Sequence, residues 1–368
     1  MRLRLLLLCC LGIAACNGGG SAAPAGPPVV PPTPYGIEIV VRTPTTLRNA
    51  QDVATLVDQA VLHGVAVINL MAKQDEDGST PSGQVYYRSS IAPAAAGYEQ
   101  FDVLQALLDA ARGKPLRVRA WLPQFHDQVA ALRNPAWAMQ ALQGGSITPY
   151  TGSRHTEFFV NPLLAEVQDY ELSLITEVTR RYAVDGVMLD WIRFDNFNMD
   201  LGPDTRQRYL AEHGQDPAGI TFNTDNAERT RWNAWRTDGI ARYVQRVRQA
   251  VPAGMALGVY ILPPEFVEVG QDAAKFNTAS SPIAPMCYFR DWGYAMDWVW
   301  NSCLPSTVQK AGAADVVPVM DANLSDDQYH ALLAQMRQRF PQVKTLAWFQ
   351  HGAWDAALLQ RIAQRSTW

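Results

Sequence analysis

The chain has 368 residues, with 31 Lys and Arg against 35 Asp and Glu and a net charge of −4. No Lys/Arg cluster stands out, which argues against a nucleic-acid partner. Nearly half of the residues are apolar, and residues 36–368 match the length that single α/β barrels commonly reach.

Arg2 and Arg4 precede an apolar run, Leu5 to Ile13, that is too short for a permanent membrane helix. Residues 1–15 therefore read as a secretory signal. The segment Ile13-Ala14-Ala15-Cys16 resembles the lipobox of bacterial lipoproteins, in which the Cys thiol accepts a diacylglyceryl group. Residues 16–35 then carry Gly18-Gly19-Gly20 and Pro31-Pro32-Thr33-Pro34. Such a composition cannot bury enough apolar surface to fold, and its Pro-rich part extends at about 3 Å per residue. The expectation is a signal peptide (1–15), a lipidated tether (16–35) and one catalytic domain (36–368). That makes the membrane, reached through a lipid on Cys16, one partner, and it predicts a cell-envelope lipoprotein of the outer membrane facing the periplasm. Cys9 and Cys10 leave with the signal, so Cys287 and Cys303 remain in an oxidising compartment. Whether they pair depends on a Cα separation that sequence leaves open.

From Tyr35 onward, short β-rich runs alternate with amphipathic stretches. Eight candidate strands follow in order: Ile37–Arg42, Val65–Met71, Leu116–Leu122, Gly186–Trp191, Ala256–Leu262, Ile283–Tyr288, Val316–Met320 and Thr345–Phe349. Eight strands with helices between them predict an α/β fold, a closed (β/α)8 TIM barrel. Gly64 reads as the stop of the helix containing Val53, Leu56, Val57, Ala60 and Val61. Asn161-Pro162 reads as the cap of a helix whose apolar face is Leu163, Val167, Tyr170, Leu174, Val178 and Tyr182. Ser325-Asp326-Asp327-Gln328 reads as a capping box.

Active sites of such barrels lie at the C-terminal ends of the strands. In the fourth strand Gly186, Met188 and Asp190 share one face, while Val187, Leu189 and Trp191 share the other. Asp190 then points inward at the top of the barrel, where a carboxylate is costly without a task or a partner. Its structural alternative is a pair with Arg193. Glycoside hydrolysis needs a second carboxyl group roughly 5 to 9.5 Å away, and Glu265, Asp291 and Asp321 all follow or end later strands. Asp291 is the first choice, narrowly over Glu265, because Trp292 follows it. Arg193, Asp195, Asp321 and His351 are expected to bind substrate. Trp121, Tyr260, Tyr288, Trp292 and Trp348 are expected to offer aromatic faces to sugar rings, with Trp354 beside them. Trp191 is assigned to core packing. No H-E-x-x-H, C-x-x-C, G-x-S-x-G or Walker pattern is present, so neither a metal nor a cofactor is called for.

Four stretches carry a resemblance to a known family: Val85 to Pro93 with Gly97-Tyr98, Leu116 to Leu122, Asn161 through Tyr170, and Tyr182 through Asp190. Together they resemble the glycosyl hydrolase-like 10 family of bacterial envelope proteins, over about Gly36 to Trp354. The resemblance implies a TIM barrel, glycosidase activity and no cofactor. Some members are lipoproteins acting on peptidoglycan glycan strands stripped of peptide, and related barrels act on poly-N-acetylglucosamine. Asp190 matches the last Asp of the family's D-G-I-H-x-D pattern. Met188 stands where His is frequent, and Trp191 where a second acid or Arg often follows. The expected activity is therefore hydrolysis of an amino-sugar polysaccharide. The alternative is a non-catalytic carbohydrate-binding lipoprotein on the same barrel.

Overall fold

The β-rich runs become eight parallel strands that close on themselves. The computed structural model describes residues 34–75, 80–151 and 158–367. The expected signal, Cys16 and the tether up to residue 33 lie outside the described residues. The strands are β1 (Gly36–Val41), β2 (Val65–Met71), β3 (Arg117–Pro123), β4 (Gln140–Gln143), β5 (Ser146–Pro149), β6 (Gly186–Asp190), β7 (Ala256–Ile261), β8 (Ile283–Pro285), β9 (Val319–Asp321) and β10 (Thr345–Phe349). The ring runs β1-β2-β3-β6-β7-β8, then β9-β10 and back to β1. Parallel bridges Ile283↔Val316 and Met286↔Val319 close β8 onto β9. Strands β4 and β5 form a separate antiparallel hairpin between β3 and β6. The (β/α)8 expectation therefore holds. Parallel strands covered by helices are buried on both faces, which is why they read as apolar runs such as Val65-Ala-Val-Ile-Asn-Leu-Met71.

The outer helices begin where side chains can satisfy free N–H groups. Asn49 caps Ala50–Leu62, Asp102 caps Val103–Ala111, and Ser325 with Gln328 forms the expected capping box on Asp326–Arg339. One expected cap is corrected. The helix Ala165–Arg181 starts after Leu164, without a side-chain cap. Asn161 instead accepts the Leu163 N–H and donates to Asp200 and Thr205, so it fastens a loop rather than opening a helix. Among the described residues no helix is long and apolar enough to cross a membrane.

The barrel interior is layered. Near its N-terminal end, Glu38 from β1 takes Arg119 from β3 at 2.9 Å and Asn69 from β2 at 3.1 Å. Above this polar layer Met188 fills the centre, and a Cβ on Gly258 would meet its Sδ at 2.3 Å. The departure of Met188 from the family pattern is thus accommodated by a glycine on the neighbouring strand.

Two further features hold the loops at the C-terminal end. Cys287 and Cys303 form a disulfide with Cα atoms 6.0 Å apart, closing a separation of 16 residues beside the end of β8. Lys73, just past β2, is sealed from solvent between Asp127 (2.8 Å) and Glu171 (2.7 Å), and it also reaches the Gln124 carbonyl at 3.2 Å. Burial opposes charge on Lys73, but the two carboxylates outweigh it and hold the ammonium above its usual range. Burial pushes Glu171 up despite Lys73, with the Asp127 charge adding to the push. Gly83, at φ +91°, lets Asp127 approach, since a Cβ there would meet Asp127 Oδ1 at 2.0 Å. Removing the cation takes away the charge that pairs both carboxyl groups, leaving Asp127 only the Ala130 N–H it accepts at 2.6 Å. Lys73→Met is therefore expected to lower stability by about 3–5 kcal/mol in urea unfolding, and a loss below about 1 kcal/mol would contradict this account of the cluster.

Candidate active site

Strand β6 delivers its inward side chain to the barrel mouth as its alternation predicts. Asp190 is 7% exposed. Its Oδ2 accepts the Trp121 indole N–H at 3.0 Å, and its Oδ1 accepts the Trp191 backbone N–H at 2.7 Å. Burial raises the Asp190 carboxyl above its ordinary range, outweighing these donors and the charges of Arg193 and Arg42, which oppose the rise. Arg42, at the end of β1, grips Asp75 through two hydrogen bonds of 2.7 and 3.0 Å. Arg193 pairs with Asp195 at 3.2 Å rather than directly with Asp190, and Tyr150 donates a short hydrogen bond to Asp195.

Across the mouth, Tyr288 follows β8 and stacks on Phe349 at the end of β10, with ring centroids 4.9 Å apart. Trp292 lies 5.5 Å from Tyr288, and exposed Phe266 lies 5.5 Å from Trp292. This row of rings gives the mouth an apolar side suited to the C–H faces of a sugar. Asp321 ends β9 and opens on a cleft of about 380 Å³ lined by Arg290, Asp291, Asn323, Phe349, Gln350 and His351, among others. Burial raises the Asp321 carboxyl from its ordinary 3.8 to about 6; the Arg290 backbone N–H opposes the rise and the Asp291 charge adds to it. Tyr288 senses both acids. Burial pushes its hydroxyl well above the usual range, and the charges of Asp190, Asp321 and Asp291 add to the effect.

Several expected site residues stand elsewhere. Glu265 Oε1 accepts the Trp298 indole N–H at 2.7 Å and the Ser302 hydroxyl, so its carboxylate serves the loop after β7. Asp291 and His351 do line the Asp321 cleft, but both are exposed and bonded to each other at 2.9 Å, so the pair spans the loops after β8 and β10. Trp121 (4% exposed) and Tyr260 (2%) are interior side chains, not open platforms. Trp121 holds Asp190, and Tyr260 packs edge-on to it at 6.0 Å. Trp348 is fully buried behind the barrel against Tyr329, with ring centroids 5.2 Å apart. Trp354 is buried too, donating to the Val40 carbonyl at 2.9 Å. Trp191 does not continue the outward face. Strand β6 stops at Asp190, and the half-buried indole lies over His126 and Phe159.

Arg42, Asp75 and Phe349 were overlooked in the sequence. Phe349 ends a strand and Arg42 and Asp75 follow strands, so the strand-end rule that singles out Asp190 also covers them. The buried Lys73–Asp127–Glu171 group carries no local signal, because its members are far apart in the chain.

A closed parallel barrel with carboxyl groups at its C-terminal mouth and a row of rings beside them has the architecture of the glycoside hydrolase barrels. The chain belongs to the Glycosyl hydrolase-like 10 family, whose sequence profile matches residues 65–264, more than half of its length. It is 26% identical over 228 residues to Glycosyl hydrolase DigH of Escherichia coli strain K12, covering 60% of this chain and 49% of that protein. It is also 31% identical over 144 residues to an S-layer-related protein of Niallia circulans, covering 36% of this chain and 9% of that one. The chain thus spans half or less of the length of these curated relatives. In three dimensions it is similar to the PgaB (BpsB) glycoside hydrolase domain from Bordetella bronchiseptica, with a TM-score of 0.72 at 15% identity, covering 91% of this chain and 98% of that one. At that identity the likeness shows the fold.

The raised Asp321 group makes a prediction that needs no substrate. Its folded pKa of about 6 exceeds the ordinary 3.8, so in that window the folded protein binds the proton more tightly than the unfolded chain. The resulting stability is present below 3.8 and lost as pH rises through 6. Asp321→Asn lacks this dependence. Its unfolding midpoint should gain on the wild type as pH rises from 4 to 6.5, and parallel pH curves for the two proteins would contradict the assignment.

Proposed function

We propose that this protein is a glycoside hydrolase that cleaves an amino-sugar polysaccharide of the cell envelope or a biofilm matrix, acting from a lipid anchor at Cys16 on the periplasmic side of the outer membrane. The observation that carries the reading is a pair of burial-raised acids at one barrel mouth with different donors around them. Burial raises the Asp190 carboxyl, and two N–H donors and two guanidinium groups oppose that rise and favour the ionised form. Asp321 is raised to about 6, which keeps a proton available in mildly acidic surroundings. Two acids with different donors and neighbours, placed on either side of one bond, are the usual basis of acid–base division of labour.

In this reading Asp321 passes its proton to the glycosidic oxygen as that bond breaks. Asp190 stabilises the positive charge that develops on the anomeric carbon. One water then supplies the new hydroxyl and returns a proton to Asp321. Asp321 therefore takes the acid role first expected of Asp291 or Glu265, whose carboxylates are held by His351 and by Trp298 with Ser302. Tyr288, Phe349 and Trp292 would carry the sugar ring. The amino-sugar assignment rests on the family resemblance: some envelope members act on peptide-free peptidoglycan strands, and related barrels act on poly-N-acetylglucosamine.

The test is reducing-end release from both of these glycans. The wild type should release ends from at least one, with activity falling as pH rises through about 6. Asp190→Asn should lose at least about 100-fold, and Asp321→Asn about 10²–10⁴-fold together with the alkaline fall. Binding of either glycan without any release by the wild type would instead favour the non-catalytic carbohydrate-binding reading.

A further inference from the structure

Trp191 leaves β6 with φ +49°, the one non-glycine residue at positive φ among the described residues. A bulky side chain adopts this conformation only where its surroundings impose it, and such positions gather at functional sites. Had β6 continued, the indole would have joined Val187 and Leu189 on the outer face, and its N–H would have entered the sheet. The left-handed turn instead sends that N–H back to Asp190 Oδ1 at 2.7 Å. The Trp191 carbonyl accepts the Phe125 N–H at 3.2 Å. Its indole rests against His126, with centroids 4.5 Å apart, and the Arg193 guanidinium lies 3.7 Å from the indole centroid. Arg193 is 8% exposed and is tied at its other side to Asp195.

We propose that Trp191 is a positioning residue for Asp190: its left-handed turn aims its own N–H at the carboxylate, and its indole is the shelf that fixes the Arg193 guanidinium nearby. The catalytic consequence rests on the reading of Asp190 given above, whereas the geometry does not. The groups acting on Asp190 come from every side of the mouth: Arg42 from β1, Arg193 from the turn after β6, Tyr260 from β7 and Tyr288 from beyond β8. Burial drives both tyrosines well above their usual range, so they stay neutral. The charges facing Asp190 are the guanidinium of Arg42, already gripped by Asp75, and that of Arg193.

The experiment follows the Asp190 carboxyl by carbon NMR in protein labelled with ¹³C-aspartate, the signal being assigned by its absence in Asp190→Asn. Trp191→Gly keeps the N–H and accepts the left-handed backbone but removes the shelf. Its Asp190 midpoint should rise by about one pH unit, a tenfold change in the protonation equilibrium, and the acid limb of kcat/KM should move the same way. Trp191→Tyr, which restores a ring face, should bring both back towards the wild type. An unmoved midpoint in Trp191→Gly, or a midpoint displaced equally in Trp191→Tyr, would overturn the proposal. Should Trp191→Gly not fold, Trp191→Asn, which also tolerates the left-handed backbone, is read in its place. The titration needs no substrate. A shifted midpoint in a protein that releases no reducing ends would sink the glycosidase reading and leave the positioning role intact. An active enzyme with an unmoved midpoint would do the reverse.

Discussion

A carboxylate withdrawn from water at the mouth of the barrel has to be compensated on the spot, and the surroundings of Asp190 are arranged around that need. Burial alone favours the neutral acid. The opposing contributions come from separate parts of the ring: the Trp121 indole on β3, the Trp191 N–H just past β6, Arg42 at the end of β1 and Arg193 on the following turn. The β3–β6 register sets Trp121 opposite Met188 and Pro123 opposite Asp190, and the Gln124 N–H binds the Asp190 carbonyl at 2.9 Å. Gln124 is held in turn by Lys73 and Tyr243. A buried charge cluster behind the strands is thereby connected to the backbone that carries the site.

Asp321 sits under a different constraint. It has one long hydrogen bond, 3.4 Å from the Arg290 N–H, and a second acid, Asp291, in its cleft. Desolvation therefore dominates, and the group keeps its proton up to about pH 6. Two aspartates at the ends of β6 and β9 are thus both raised by burial but differ in the donors and neighbours that oppose the rise. The ring pair Tyr288–Phe349 lies on the same side of the mouth as Asp321, where a sugar in contact with both acids would rest.

Much of this was legible before any coordinates. The strands were readable because both faces of each are covered, leaving runs of apolar residues. The inward direction of Asp190 followed from the two-residue period once Val187 and Leu189 were taken as the outer face. Boundaries slipped where pairing is sparse. Val316 was expected to open a strand, yet it contributes a single bridge and the strand itself is Val319–Asp321. The aromatic residues were harder, because a ring near a strand end can face the cleft, the interior or the outer helices. Phe349 lines the first, Trp121 packs into the second and Trp348 lies against the third. The turn at Trp191 was unreadable, since no residue type in the segment announces a left-handed backbone. Met188 stands where the family's His is frequent, and in the fold it packs over Gly258.

The central claim is that one sugar linkage can span the interval between Asp190 and Asp321. A crystal structure of Asp190→Asn with a bound glucosamine-type oligosaccharide tests it most directly. The account predicts an anomeric carbon beside residue 190, the adjoining glycosidic oxygen within hydrogen-bond reach of Asp321, and a ring resting on Tyr288. An oligosaccharide lodged away from the mouth, or a glycosidic oxygen that Asp321 cannot reach, would contradict it.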